Sequence, residues 1–235
     1  MPSWSIHLLV ARRVCDKLKL EKDSFYFGNL IPDVDCNSRI NRKQTHYYDT
    51  NLYFDFCNRA RKIDIDRFLK DYKESIKNPL ILGYYSHLLC DNFYNEYFYS
   101  KKWVIDKDKN PIGIRLKDNK IVDIGIDDPD RLKQKYKHDD LELYGKFIYK
   151  DKLIVIPKDT KKIKKDIIYL KDRFMTDDMV ERRIDYLNNG FELFNKLDTD
   201  NRDDYKTFYK EELDTLLESC IDYVEEKLEE VITNG

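Results

Sequence analysis

The sequence predicts a mainly α-helical protein carrying a small β-hairpin insertion at about residues 101–160. Three observations lead there. Apolar residues recur every three or four positions over residues 5–18, 80–100, 176–194 and 205–231, the spacing of one helix face. β-branched residues between turn signals gather instead in the middle of the chain, and 18 Tyr with 12 Phe supply apolar bulk for a sizeable core. A length of 235 residues fits one domain, residues 1–235, with the insertion reaching from about 101 to 173.

With 37% charged residues, the surface is strongly solvated. Membrane-spanning runs are absent from the sequence, and its first residues lack the basic start, apolar block and small-residue cleavage site of a signal peptide, which places the protein in the cytoplasm. Five scattered cysteines (Cys15, Cys36, Cys57, Cys90 and Cys220) without a Cys-x-x-Cys spacing argue against both a disulfide framework and a thiolate metal knuckle. The net charge of −2 conceals an asymmetry: residues 101–173 hold 21 Lys and Arg against 14 Asp and Glu, whereas 176–235 hold 7 against 18. Such a Lys-rich insert is suited to peripheral contact with phosphates or anionic lipid, and equally to pairing with the protein's own acidic end. The oligomeric state is open.

Taken in order, residues 5–18 form an amphipathic helix with Trp4, His7, Ala11, Val14 and Leu18 along one stripe, so His7 lies on the apolar side. Gly28 and Pro32 then break up the run Phe25-Tyr-Phe-Gly-Asn-Leu-Ile-Pro-Asp, leaving Asp33 at a bend. His46 precedes an expected helix over residues 51–62, with Asp49 as a cap or supporting partner. A short helix over 64–77 ends at Asn78-Pro79. The next helix, residues 80–100, is apolar nearly all round, and His87 and Asp91 stand one turn apart on it. An imidazole and a carboxylate so placed share a divalent cation, or form a buried histidine held by an acid. Short strands follow at Trp103-Val-Ile, Pro111-Ile-Gly-Ile, Lys120-Ile-Val and within residues 147–156. Between them a helix over 130–144 carries His138 and Glu142 with the same one-turn spacing, and two long amphipathic helices close the chain.

Four segments in this order, Met1-Pro-Ser-Trp-Ser-Ile-His-Leu-Leu-Val-Ala, Phe27-Gly-Asn-Leu-Ile-Pro-Asp, Thr45-His-Tyr-Tyr-Asp and Gly83-Tyr-Tyr-Ser-His-Leu-Leu-Cys-Asp, resemble the successive motifs of the bacterial zinc-dependent phospholipase C family, in the superfamily of the S1/P1-type nucleases. The resemblance covers about the first 100 residues. It implies a multi-helix domain of the phospholipase C / P1 nuclease type, with up to three zinc ions that cleave phosphoesters. His7, Asp33, His46, His87 and Asp91 fall on the family's ligand positions, with Asp91 in the place of a bridging aspartate, and His138 and Glu142 resemble its last ligand pair at a longer interval. Two features depart from the family: Trp4 is internal rather than offering a free amine, and the histidine expected soon after the helical pair is missing.

The residue chemistry agrees. Imidazole and carboxylate suit one to three Zn2+ ions, with Fe or Mn also compatible. A metal-activated water would attack a phosphoester such as a phospholipid headgroup, a nucleotide or another phosphodiester, with Asp33 as the catalytic group that orients or deprotonates it. The competing readings are a nuclease-like enzyme, an HD-type phosphohydrolase built on His138-Asp139, and a metal-binding interaction module without catalysis.

Overall fold

The computed structural model describes residues 2–34, 41–57, 59–123, 134–151, 153–194 and 204–234. Helices dominate it. The chain opens with α1 (Trp4–Leu18), ended by Lys19 in a left-handed conformation, and α2 (Lys22–Gly28), whose first turn is capped by the Glu21 carboxylate. A 3-10 turn, Ile31–Asp33, follows, then the short α3 (Arg42–Thr45) within an Asn41/Gln44 capping box.

Residues 51–62 were expected to be helical, but here the structure has an antiparallel hairpin, β1 (Tyr48–Tyr53) with β2 (Arg61–Ile63). The alternation of Tyr, Thr and Leu in Tyr48-Asp-Thr-Asn-Leu-Tyr suits a pleated strand, and pairing fixed elsewhere decides the choice. Phe54 N–H donates to Ala60 O across the turn, and Ile63 N–H is taken by the buried Asn92 side chain. Next come α4 (Ile65–Asp71), shorter than its expected span, and α5 (Pro79–Lys101), which begins with an Asn78 cap and a proline in its first turn, where a missing N–H is harmless.

α5 is the axis of the protein. Residues 80–92 of it are all buried, and α1, α2 and the last helix pack around it. Its contact with α2 is made possible by two facing glycines. A Cβ on Gly28 would lie 2.2 Å from Leu80 O, and one on Gly83 would lie 2.1 Å from Phe25 O, so no side chain fits at either point.

The expected strands after α5 appear as a three-stranded antiparallel sheet, β3 (Trp103–Ile105), β4 (Pro111–Arg115) and β5 (Ile121–Asp123). The described residues among 147–156 form no strand. They end α6 (Asp139–Lys150), which a π-helical turn, Gln134–His138, precedes, and continue as irregular chain. The beginning of the helix expected from residue 130 lies outside the described residues. After α7 (Thr160–Asp166) come α8 (Asp177–Phe194) and α9 (Lys210–Asn234). α9 starts five residues later than its periodicity suggests because the Asp140 carboxylate captures the backbone N–H groups of Lys206, Thr207 and Phe208.

Among the described residues no helix is long and apolar enough to cross a membrane. Cys15, Cys57, Cys90 and Cys220 are free, buried thiols, while Cys36 lies outside the described residues.

Candidate metal centre

Five chemically matched side chains from four separate segments meet beside α5. His7 comes from the middle of α1, Asp33 from the end of the 3-10 turn, His46 from the residue that caps α3, and His87 and Asp91 from α5. Four of them are fully buried, and Asp33 exposes only 6% of its side chain.

The geometry is close. His7 Nε2 stands 3.4 Å from Asp91 Oδ1, and His87 Nε2 and His46 Nε2 stand 3.6 and 3.7 Å from Asp91 Oδ2. His46 Nε2 is also 3.1 Å from Asp33 Oδ1. Two overlapping donor sets result, His7 with His87 and Asp91, and Asp33 with His46 and His87, each with its ligand atoms within 4.8 Å of one another. Ligands placed about 2.0–2.1 Å from a tetrahedral zinc are separated from each other by about 3.3 Å, so these spacings are those of a coordination shell.

Two of the imidazoles are aimed by the backbone. His87 Nδ1 lies 2.7 Å from Asn29 O, and His46 Nδ1 lies 2.9 Å from Arg42 O. Carbonyl oxygen only accepts, so each Nδ1 carries the proton and each Nε2 turns a lone pair toward the cluster. The glycine contact between α2 and α5 brings the Asn29 carbonyl, just past Gly28, within reach of His87. His7 stacks flat on His87, with ring centres 3.9 Å apart and an interplanar angle of 7°.

A test of fit comes from the polar atoms. His7 Nδ1 and Nε2, His46 Nε2, His87 Nε2 and both oxygens of Asp91 are buried without a hydrogen-bond partner among the described residues. The ion-pair distances above thus lack hydrogen-bond alignment. A buried unsatisfied polar atom costs about 1–3 kcal/mol. Six of them would cost about 6 kcal/mol or more, comparable with the whole stability of a typical domain, about 5–15 kcal/mol. Metal ligation satisfies the lone pairs among them, one nitrogen from each imidazole and the Asp91 oxygens.

Burial opposes ionisation of Asp91, but His87 and His7 overcome it and hold the carboxyl well below the usual carboxylate range. Asp33 behaves alike: burial would raise it, yet His46, His87 and Arg42 hold it low. Both remain charged ligands at neutral pH.

The structure does not bring His138 and Glu142 to this cluster. His138 is half-buried at the start of α6, and Glu142 exposes 61% of its side chain beside Lys146. The neighbouring Asp139 pairs with Lys206. The donor sets among the described residues include none of these three. The Asp49 side chain lies outside the described residues.

Several neighbours escaped the sequence. Trp4 Nε1 donates to Asp33 Oδ2 at 3.1 Å, Arg42 Nη2 is 2.6 Å from Asp33 Oδ1, and Arg183 from α8 donates to the Asp33 carbonyl. One turn beyond Asp91, the buried Lys137 donates to Asn95 Oδ1 at 2.5 Å, and Asn95 in turn donates to Tyr48, whose ring stacks on His46. Only the i, i+4, i+8 stripe of His87, Asp91 and Asn95 carried a sequence signal for this extension.

Compared with known proteins, residues 6–192 match the family model described as zinc dependent phospholipase C. No curated protein and no solved structure matches the chain.

Proposed function

Because the chain belongs to the zinc dependent phospholipase C family, we propose that it hydrolyses phosphoesters with a metal-activated water, its ion held by His7, Asp33, His46, His87 and Asp91. Zn2+ is the cofactor, in keeping with the family and with donor sets of imidazole and carboxylate. The observation that carries this reading is the meeting of His7, His87 and Asp91, and of Asp33, His46 and His87, in two overlapping buried donor sets whose facing atoms lack hydrogen-bond partners.

Zinc, when bound, acidifies a coordinated water toward neutral pH and neutralises charge on phosphate oxygens. The protein's own part is to present ligands and govern the water. His46 and His87, pinned through Nδ1, offer Nε2 in a fixed direction. Asp33 is the catalytic group. Held low by His46, His87 and Arg42, it is a weak base, so its part is to align the attacking water as a hydrogen-bond acceptor. The Trp4 indole fixes its second oxygen. His87 is the member common to the two donor sets, and the fully buried Asp91 supplies the carboxylate of the one it forms with His7. Substrates of this reading are phospholipid headgroups, nucleotides or other phosphodiesters, and the site of action is the cytoplasm.

The test is metal analysis of protein purified without added zinc, followed by turnover of bis-p-nitrophenyl phosphate and phospholipid vesicles before and after chelation. Bound zinc with chelator-sensitive turnover is the expected result. Bound zinc without turnover of any phosphoester would reduce the protein to a metal-binding module, and a His87→Ala variant with full activity would sink the mechanism.

A further inference from the structure

We infer that the substrate carries a second negative group on its headgroup, read by Arg42 and Arg183, and that a quaternary ammonium headgroup is disfavoured. The inference rests on the hydrolase reading for where the scissile phosphate sits, and it concerns the Asp33 end of that site.

Two guanidinium groups converge on Asp33. Arg42 Nη2 lies 2.6 Å from its carboxylate and exposes 56% of its side chain. Arg183 donates to the Asp33 carbonyl, and its guanidinium lies 4.2 Å over the Trp4 ring and 5.8 Å from that of Tyr186. Lys43, exposed, adjoins Arg42 in the chain.

A quaternary ammonium group is recognised by an aromatic face or a carboxylate. The Trp4 face is covered by Arg183, and Asp33 is engaged by Arg42, His46 and Trp4. A cationic headgroup would therefore meet like charge. An anionic one would meet planar forks suited to carboxylate and phosphate. Once Asp33 shares its charge with a cation, its hold on Arg42 weakens, and the exposed guanidinium can turn to an incoming anion.

Three phosphomonoesters that differ only in substituent charge test this by calorimetric binding to the zinc-loaded protein: phosphoglycolate, ethyl phosphate and phosphocholine. Phosphoglycolate should bind about tenfold tighter than phosphocholine at low salt, with ethyl phosphate between, a contrast of about 1.4 kcal/mol. Arg42→Gln and Arg183→Gln should each compress that order, whereas Arg42→Lys should keep part of it; zinc content, measured alongside, reports whether each variant retains the site. Equal binding of all three esters, or tighter phosphocholine, overturns the inference.

Turnover separates the sources of the headgroup. Phosphatidylinositol 4-phosphate in vesicles and its soluble deacylated diester should each be compared with phosphatidylcholine. Cleavage of the inositide only in vesicles assigns a lipid source, and cleavage of the soluble diester as well assigns a soluble one; faster cleavage of phosphatidylcholine refutes the idea. Ordered binding with no turnover of any ester would refute the hydrolase reading and leave only the preference of Arg42 and Arg183 for a ligand with a second negative group. Turnover with unordered binding would do the reverse.

Discussion

Zinc should act on stability before it is asked to act on a substrate. Stripped of metal, the protein buries the six unsatisfied atoms of His7, His46, His87 and Asp91 in its core. Zinc at a hundredfold its dissociation constant adds about 2.7 kcal/mol to the folded state. A chain of 235 residues unfolds with an entropy of about 0.5 kcal/mol/K. The melting temperature of chelated protein should thus rise by about 5 °C when zinc is returned. Asp91→Asn separates this from binding elsewhere. It keeps the shape, removes one ligand charge, and lets an amide N–H donate to the Nε2 lone pair of His7 or His87, both within 3.6 Å of the carboxylate. The zinc-induced rise in the variant should fall below about 1 °C. Scanning calorimetry with and without chelator reads both quantities. An equal zinc-induced rise in parent and Asp91→Asn would refute the assignment of the cluster as the metal site.

Other outcomes follow from the same contacts. Gly83→Ala places a Cβ against Phe25 O, so α2 must move away from α5 and His87 loses its Asn29 carbonyl; denaturant titration should show a loss of about 1–3 kcal/mol, and calorimetry a weaker zinc affinity. Lys137→Met removes the donor to the buried Asn95 Oδ1 and should cost about 1–3 kcal/mol, part of which the double variant with Asn95→Leu recovers in a double-mutant cycle. The metal-free protein should also be acid-sensitive. The folded carboxyls of Asp33 and Asp91 lie below their unfolded value of about 3.9, so their contribution is present above that value and is lost as pH falls through the folded values. Urea midpoints at pH 7, 4.5 and 3 should therefore fall most steeply below about pH 4, and less so in Asp91→Asn.

The helical scaffold was legible because its signal is local. α1, α5 and α9 each declare a buried face through their own periodicity, and the one-turn spacing of His87 and Asp91 needs no partner to interpret. The hairpin at Tyr48–Tyr53 was not legible, since its pairing with Arg61–Ile63 and its anchor on Asn92 come from elsewhere in the chain. The same limit applies to ligand pairs. His138 and Glu142 repeat the spacing of the central pair, yet spacing does not say which face an element buries, and the structure leaves Glu142 in solvent. Arg183, 150 residues from Asp33, shares no pattern with it and reaches it only through the docking of α8.

Charge gives a reason for the whole arrangement. With neutral imidazoles, the donor set of Asp33 and Asp91 carries two negative charges in a nearly dry setting, a condition that burial penalises strongly unless a counter-charge is supplied. Arg42 and Arg183 reach only the Asp33 end, and among the described residues the ion-pair partners of Asp91 are histidines. One divalent cation cancels both carboxylates, and with two arginines close by the site then becomes positive in sum. That is the electrostatic condition for holding a phosphate with a further negative group beside it. His87 also limits how the charge is distributed: with Nδ1 committed to Asn29 O it has a single lone pair, so two ions cannot both claim it, and a second ion must depend on the remaining oxygen of Asp91.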